Sequence, residues 1–279
     1  MRVAVLVPYR DEPIQNRAAH LAHFIKAMPG VLDEALSGHH WHIFVGVQGD
    51  DGHKFSRGKV LNALFKHAVM DGTGAYLFDR IILHDVDLIP DVARAKGFVA
   101  DMSASASILA MNTTGEYAAM ANYVGGICGM SPADFARVDG FPNEMEGWGG
   151  EDDALRDRLG PGRIGVYARG TVRNLETDPE FRGEGTVRAK DSPVYKMPKE
   201  DRRRVRDMWK RGDPGVTGLS GLVFLATGQE TVATSISLVY LNVHVQLPNG
   251  WTSAVSRTSS RPYFVHAATR RTQWTLPCE

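Results

Sequence analysis

Three short apolar runs near the amino terminus each stop in a polar loop, and segments with helical spacing separate them. Val3 to Val7 is almost continuous in apolar, mostly β-branched residues, the pattern of a strand buried on both faces. Pro8 ends it, and Tyr9-Arg10-Asp11 follow as a loop. Leu21, Phe24, Ile25 and Met28 then recur at helical spacing, with Pro29-Gly30 predicted to close that helix. Trp41 to Val47 is a second strand, followed by the polar loop Gln48 to Gly52. Val60, Leu61, Leu64, Phe65 and Ala68 mark an amphipathic helix over Lys59 to Val69. A third strand, Arg80 to Leu83, ends in His84-Asp85-Val86-Asp87.

This order demands long crossovers, and long crossovers favour parallel strands. The predicted fold class is therefore α/β, a Rossmann-like, mostly parallel central sheet with flanking helices. Loops bearing Arg10, Asp50 and Asp87 then lie beyond the carboxyl ends of the strands, where such sheets bind ligands. A further strand is expected at Ser107 to Met111, a charged loop over Leu175 to Asp191, and a surface helix over Lys199 to Lys210 in which Val205, Met208 and Trp209 dock. Strands recur within Thr231 to Gln246. The chain divides as a catalytic domain over 1–225 and a strand-rich extension over 226–279 packed on the same domain.

Lys plus Arg and Asp plus Glu both number 32, so the formal charge is zero and no large basic field exists for nucleic acid. The two cysteines, Cys128 and Cys278, form no metal-type pair and no disulfide scaffold. Cys128 reads as a small buried apolar side chain. No apolar run approaches the roughly 20 residues of a membrane span, and no signal-peptide core is present. The expected location is cytoplasmic, with peripheral contact at the membrane face if the substrate is lipid-linked. Serine-hydrolase, Walker and zinc-helix motifs are missing. His39, His40 and His42, like His20 and His23, lack an ordered third ligand and are not read as metal sites.

Two motifs carry most of the chemistry. Asp85 and Asp87 follow an apolar strand at i and i+2, and such hard oxygen donors suit Mg²⁺ or Mn²⁺ bound with phosphates. Gly147-Trp148-Gly149-Gly150-Glu151-Asp152-Asp153 joins backbone freedom, a flat aromatic face for a sugar, and three acids that tune one another or begin a helix. Arg10, Asp11 and Arg17 suit a diphosphate or nucleobase, and Arg57 and Lys59 at a helix start suit phosphate. Tyr123-Val124-Gly125-Gly126 suits a sugar pocket or a turn. Arg202-Arg203-Arg204 reads as solvated or phosphate-facing.

With these residues in view, the chain resembles the β-1,4-galactosyltransferase family, inverting enzymes of GT-A fold. The resemblance rests on VPYRDEPIQNR (7–17), FSRGKVLN (55–62), ILHDVDLIP (82–90), YVGGICGMSPADFARVDGFPNEMEGWGGEDD (123–153) and, more loosely, GLSGLVF (218–224). It implies a UDP-sugar donor, a glycan or lipid-linked saccharide acceptor, and Mn²⁺, or Mg²⁺, held by Asp87. It further implies that Pro8, Arg10, Arg57, Asp85, Tyr123 and Gly150 line the donor site. Trp148 and Glu151 would contact sugar and phosphate, Asp152 would be the base, and Asp153 would fix the acceptor.

Tyr123 tilts the donor toward galactose, with UDP-GalNAc or UDP-glucose as alternatives, and a sugar-nucleotide-binding protein without catalysis as a third reading. Family members supply a metal-binding His after the acidic motif, in a segment that here reads Val172-Arg173-Asn174-Leu175-Glu176-Thr177-Asp178. Glu176 or Asp178 is the expected oxygen substitute.

Overall fold

A computed structural model describes residues 1–102, 106–111, 123–160, 162–182, 185, 187–188, 191–192, 195–213, 215–245, 247–248, 251–255 and 262–273. Parts of the Leu175–Asp191 and Thr231–Gln246 stretches, and Cys278, lie outside them.

The centre is an eight-stranded sheet. Its strands are β1 (Arg2–Tyr9), β2 (His40–Gln48), β3 (Arg80–His84), β5 (Ile108–Ala110), β6 (Ile127–Met130), β7 (Ile164–Val166), β9 (Leu225–Ala233) and β10 (Ile236–Asn242). The order is β7-β5-β6-β3-β1-β2-β10-β9. β1 runs parallel to β2 and β3, β10 parallel to β2, and β5 parallel to β7, while β6 and β9 are antiparallel to their neighbours. The sheet is mixed and mostly parallel, as the crossover argument requires.

β1 shows why Val3 to Val7 is apolar at every position. Val3, Val5 and Val7 enter one core with Phe24, Met28 and Leu32, whereas Ala4 and Leu6 enter the other with Leu61, Leu64, Phe135 and Phe141. Alternate side chains of one strand thus seal both faces.

The helices are α1 (Arg17–Ala35), α2 (Arg57–Leu64), α3 (Val92–Ala95), α4 (Pro132–Arg137), α5 (Glu151–Leu159) and α6 (Lys199–Lys210). Contrary to the expected stop at Pro29-Gly30, α1 continues to Ala35. Its buried stripe His20, Phe24, Met28, Leu32, Ala35 crosses the proline without a break. Packing of Leu32 therefore outweighs the roughly 3 kcal/mol local cost of an interior proline. A short π-helical turn over Phe65–Val69 extends α2. α6 docks through Val205, which is buried with Met145, Ala154 and Met197, and Trp209 lies under the Arg158 guanidinium. Cys128 is buried, and burial pushes its thiol well up.

Two small sheets complete the description. β4 (Leu88–Pro90) pairs antiparallel with β8 (Val172–Asn174). β11 (Trp251–Val255), β12 (Pro262–His266) and β13 (Thr272–Gln273) form a three-stranded antiparallel sheet. Among the described residues, no helix is long and apolar enough to cross a membrane.

Candidate active site

The loops after β1 and β3 open, with the residues that begin α2, into one cleft. Pro8, Arg10, Arg57, Asp85, Asp87, Tyr123, Trp148, Glu151 and Glu176, all singled out from sequence, line it. Arg17, Phe55, Asn174 and Tyr195 line it as well.

Two guanidiniums organise the carboxylates. Arg57 donates from Nε to Asp85 Oδ1 at 2.7 Å and from Nη1 to Asp152 Oδ1 at 2.8 Å. Arg17 donates from Nη1 to Asp87 Oδ2 at 2.6 Å and from Nη2 to Glu176 Oε1 at 3.3 Å. Burial opposes the charge on Arg57, but Asp152, Asp85 and Glu151 overcome it and hold its pKa well above the usual value. Burial works against Asp87 too, yet Arg17 keeps that carboxyl below the ordinary range. Asp85 goes the other way, up to about 6, because burial exceeds the help from Arg57. The two acids of one motif are thus set apart by which arginine each meets.

Glu176 reaches this cluster through the β4–β8 ribbon. Leu88 pairs with Asn174, and the Leu175 N–H donates to the Asp87 carbonyl at 2.7 Å, which sets the next residue beside Asp87. Asp178 does not join. It is paired with Arg173 Nε at 2.6 Å and is absent from the cleft lining.

The donor chemistry fits a hard divalent ion: Asp87 and Glu176 turn carboxylate oxygens onto one cation, Arg17, with Asp85 on the same wall. Under Asp87 lies His20, with neither ring nitrogen hydrogen-bonded among the described residues. Burial, aided by Arg17, lowers it to about 4, so it adds no positive charge at neutral pH.

The opposite wall is the glycine-rich run. Gly150, at φ +97°, caps α5, so Glu151, Asp152 and Asp153 form its first turn. A Cβ at Gly150 would lie 2.6 Å from Arg202 Cδ, so a larger residue here would have to displace that side chain as well as adopt the positive φ. The Trp148 N–H donates to the Tyr195 carbonyl at 2.6 Å, and the Met197 N–H donates to the Trp148 carbonyl at 3.1 Å. These bonds leave the indole 38% exposed beside the cleft. Glu151 is buried, and burial together with Asp152 pushes its carboxyl up to about 7.

Asp152 sends one oxygen to Arg57. Its Oδ2 and the Tyr123 hydroxyl both lie over Gly125, in space that a Cβ there would need. Asp153 faces away, to Arg156 at 2.9 Å and to Arg206 of α6 at 3.9 Å. Tyr195 comes from a turn without a residue pattern, so nothing in the sequence marked it, and Asn174 ends β8 within the segment already read for Glu176. Arg17 was legible as a charge but not as the partner of Asp87.

Family models match most of this architecture. The N-terminal region of glycosyl transferase group 7 matches residues 1–96, the N-terminal domain of galactosyltransferase matches 106–171, and a WW domain matches 247–277. Human beta-1,4-galactosyltransferase 2 is 34% identical over 157 residues, 56% of this chain and 39% of that protein. Human beta-1,4-galactosyltransferase 4 is 33% identical over 159 residues, 57% of this chain and 42% of that protein. The chain spans about two fifths of the length of these curated relatives.

A crystal structure of a mutant Drosophila beta-1,4-galactosyltransferase 7 complexed with manganese, UDP-Gal and xylobiose superposes with a TM-score of 0.63 at 21% identity, over 88% of this chain and 95% of that one. The catalytic domain of the same enzyme with xylobiose gives 0.62 at 21% identity, over 88% and 95%. The fold is GT-A. Two group 7 models, matched in order over residues 1–96 and 106–171, and curated relatives over more than half of the chain place it in the β-1,4-galactosyltransferase family.

Proposed function

We propose that the chain is an inverting galactosyltransferase that moves galactose from UDP-galactose to a sugar hydroxyl of a glycan or glycoconjugate, forming a β linkage. The observation that carries this reading is Asp152, held by Arg57 through Oδ1, with Oδ2 beside the Tyr123 hydroxyl over Gly125. Asp152 Oδ2 takes the proton of the acceptor hydroxyl as that oxygen attacks the anomeric carbon opposite the departing UDP. Trp148 offers its face to a sugar, and Arg10 and Arg57 line the diphosphate side. Asp87 and Glu176, with Asp85 beside them, would hold Mn²⁺ or Mg²⁺. A bound ion supplies electrostatic stabilisation of the charge that grows on the diphosphate. Attack from one side inverts the anomeric centre, and the carboxylates need supply no general acid because UDP leaves readily.

Tyr123 favours galactose over the bulkier N-acetylated donor by filling space beside the sugar. Acceptors of the xylose and β-GlcNAc classes are the first to test, followed by lipid-linked saccharides. The decisive assay is UDP release from four UDP-sugars with these acceptors, in Mn²⁺, Mg²⁺ or EDTA. Acceptor-dependent UDP-galactose turnover that vanishes in Asp152→Asn, while UDP binding persists, supports the reading. Turnover intact in Asp152→Asn would remove the base, and preference for UDP-GalNAc or UDP-glucose would remove the role of Tyr123.

For the carboxyl-terminal sheet, the WW match and the three antiparallel strands favour a docking unit for proline-rich segments, which aromatic grooves of that class accept as polyproline helices. Titration of the chain with proline-rich peptides tests it, and no binding by any of them would count against the assignment.

A further inference from the structure

Behind the glycine-rich wall, three segments far apart in sequence bring nitrogen and carboxylate donors together. His53 lies in the loop after β2, Glu146 precedes Gly147, and His244 lies just past β10. One donor atom from each falls within 4.8 Å of the others. Glu146 Oε1 is 3.2 Å from His244 Nδ1, and Glu146 Oε2 is 3.5 Å from His53 Nδ1. The two imidazoles stack with centroids 4.1 Å apart and planes 5° from parallel.

Lys59 Nζ sits 2.9 Å from Glu146 Oε1 and 3.2 Å from His244 Nδ1, so a side-chain cation is already shared by two of the three groups. Although burial opposes it, hydrogen bonds from His244 and Lys59 hold the Glu146 carboxyl down to about 2, leaving a carboxylate there.

A second observation comes from the far side of the His244 ring. This side chain is 3% exposed, and its Nε2 has no hydrogen-bond partner among the described residues, with Asp51 Oδ2 at 3.9 Å. A metal on Nδ1 fixes the ring proton on Nε2, facing that carboxylate. Histidine ligands are oriented in this way by a carboxylate beyond them.

We propose that His53, Glu146 and His244 form a binding site for a divalent transition ion of the zinc class, with Lys59 as the cation it displaces and Asp51 as the carboxylate that orients His244. Two imidazoles and a carboxylate suit zinc, which leaves the all-oxygen cleft cluster for Mn²⁺ or Mg²⁺. A bound ion would clip the β2–α2 loop and the end of β10 to the segment that carries Trp148. The site is separate from the cleft cluster and does not depend on the reaction assigned to it.

The test uses the full chain, stripped by chelator and dialysed against zinc, with bound metal counted by mass spectrometry. Asp87→Asn provides the background, so that uptake in the cleft does not contribute. The expected result is a single zinc per chain, lost in His53→Ala and in His244→Ala and bound more tightly in Lys59→Met. Cobalt in place of zinc should give visible absorption that the same histidine variants remove. His53 is largely exposed, so its replacement leaves the core intact even where His244→Ala disturbs folding. Zinc uptake or cobalt absorption unchanged in His53→Ala would overturn the proposal, as would no uptake by the Asp87→Asn chain.

Discussion

Glu151 sits where burial and a neighbouring acid both resist its charge, and this sets a sign for the pH dependence of stability. Its folded pKa, about 7, lies above the ordinary 4.5, so the folded chain holds a proton that the unfolded chain releases. Stability from this group is therefore present below 4.5 and lost as pH rises through 7. His20 and His84, both lowered to about 4 by burial, act oppositely: their contribution is lost as pH falls from 6.5 through 4. Glu151→Gln should stabilise the chain by about 2 kcal/mol near pH 8 and hardly at all near pH 4.5, measured by urea unfolding at both.

Gly125→Ala tests the other half of the site, since its methyl group would push on Tyr123 and on Asp152 Oδ2 together. We expect kcat to fall about 100-fold or more through the misplaced base while UDP affinity, read by calorimetry, stays near wild type. The acidic and aromatic members of the site were legible because they sit in short runs of one chemical character. Their pairing was not: Arg17 meets Asp87 and Glu176 across 70 and 159 positions, and charge alone does not say which acid a guanidinium will take.

At the level of elements, the long parallel strands could be read directly, and of the three-residue strands only β5 was expected, within Ser107 to Met111. β1 to β3 announce themselves by apolar runs ended by polar loops, whereas β4 and β8 are too short to show a period. Yet that ribbon delivers Glu176 to Asp87. Pro29 misled because proline reports a local cost, while the stripe from His20 to Ala35 reports burial against the sheet, and burial decided the outcome.

The ribbon depends on Arg94, a buried side chain of α3 that donates to the carbonyls of Met111, Tyr167, Ala168 and Gly170. Arg94→Met strands these acceptors away from water. It should lower stability by about 3 kcal/mol, seen as a reduced Tm, and should weaken Mn²⁺ binding by loosening the loop before β8.

Across the whole molecule, the expected boundary after residue 225 falls at the start of β9, which with β10 belongs to the central sheet. Sequence showed strands in this region but not their partners, because β10 pairs with β2 and nothing local records a partner nearly two hundred positions away. Among the described residues, β11 to β13 pair only with one another. A chain ending at residue 246 should therefore keep its UDP-sugar turnover and the unfolding midpoint of the central sheet, and a collapse of either would show that the last sheet supports the first.

The place of β10 also matters while the chain is being made. β1, β2 and β3 are all synthesised by residue 84, but the outer edge of β2 finds its neighbour only when residue 242 follows. Through most of translation the nascent protein thus presents an unpaired apolar strand to its surroundings, the kind of edge that recruits other chains. Substitutions that weaken β10 should first appear as poor soluble yield and dependence on chaperones, before any change in the chemistry of the cleft.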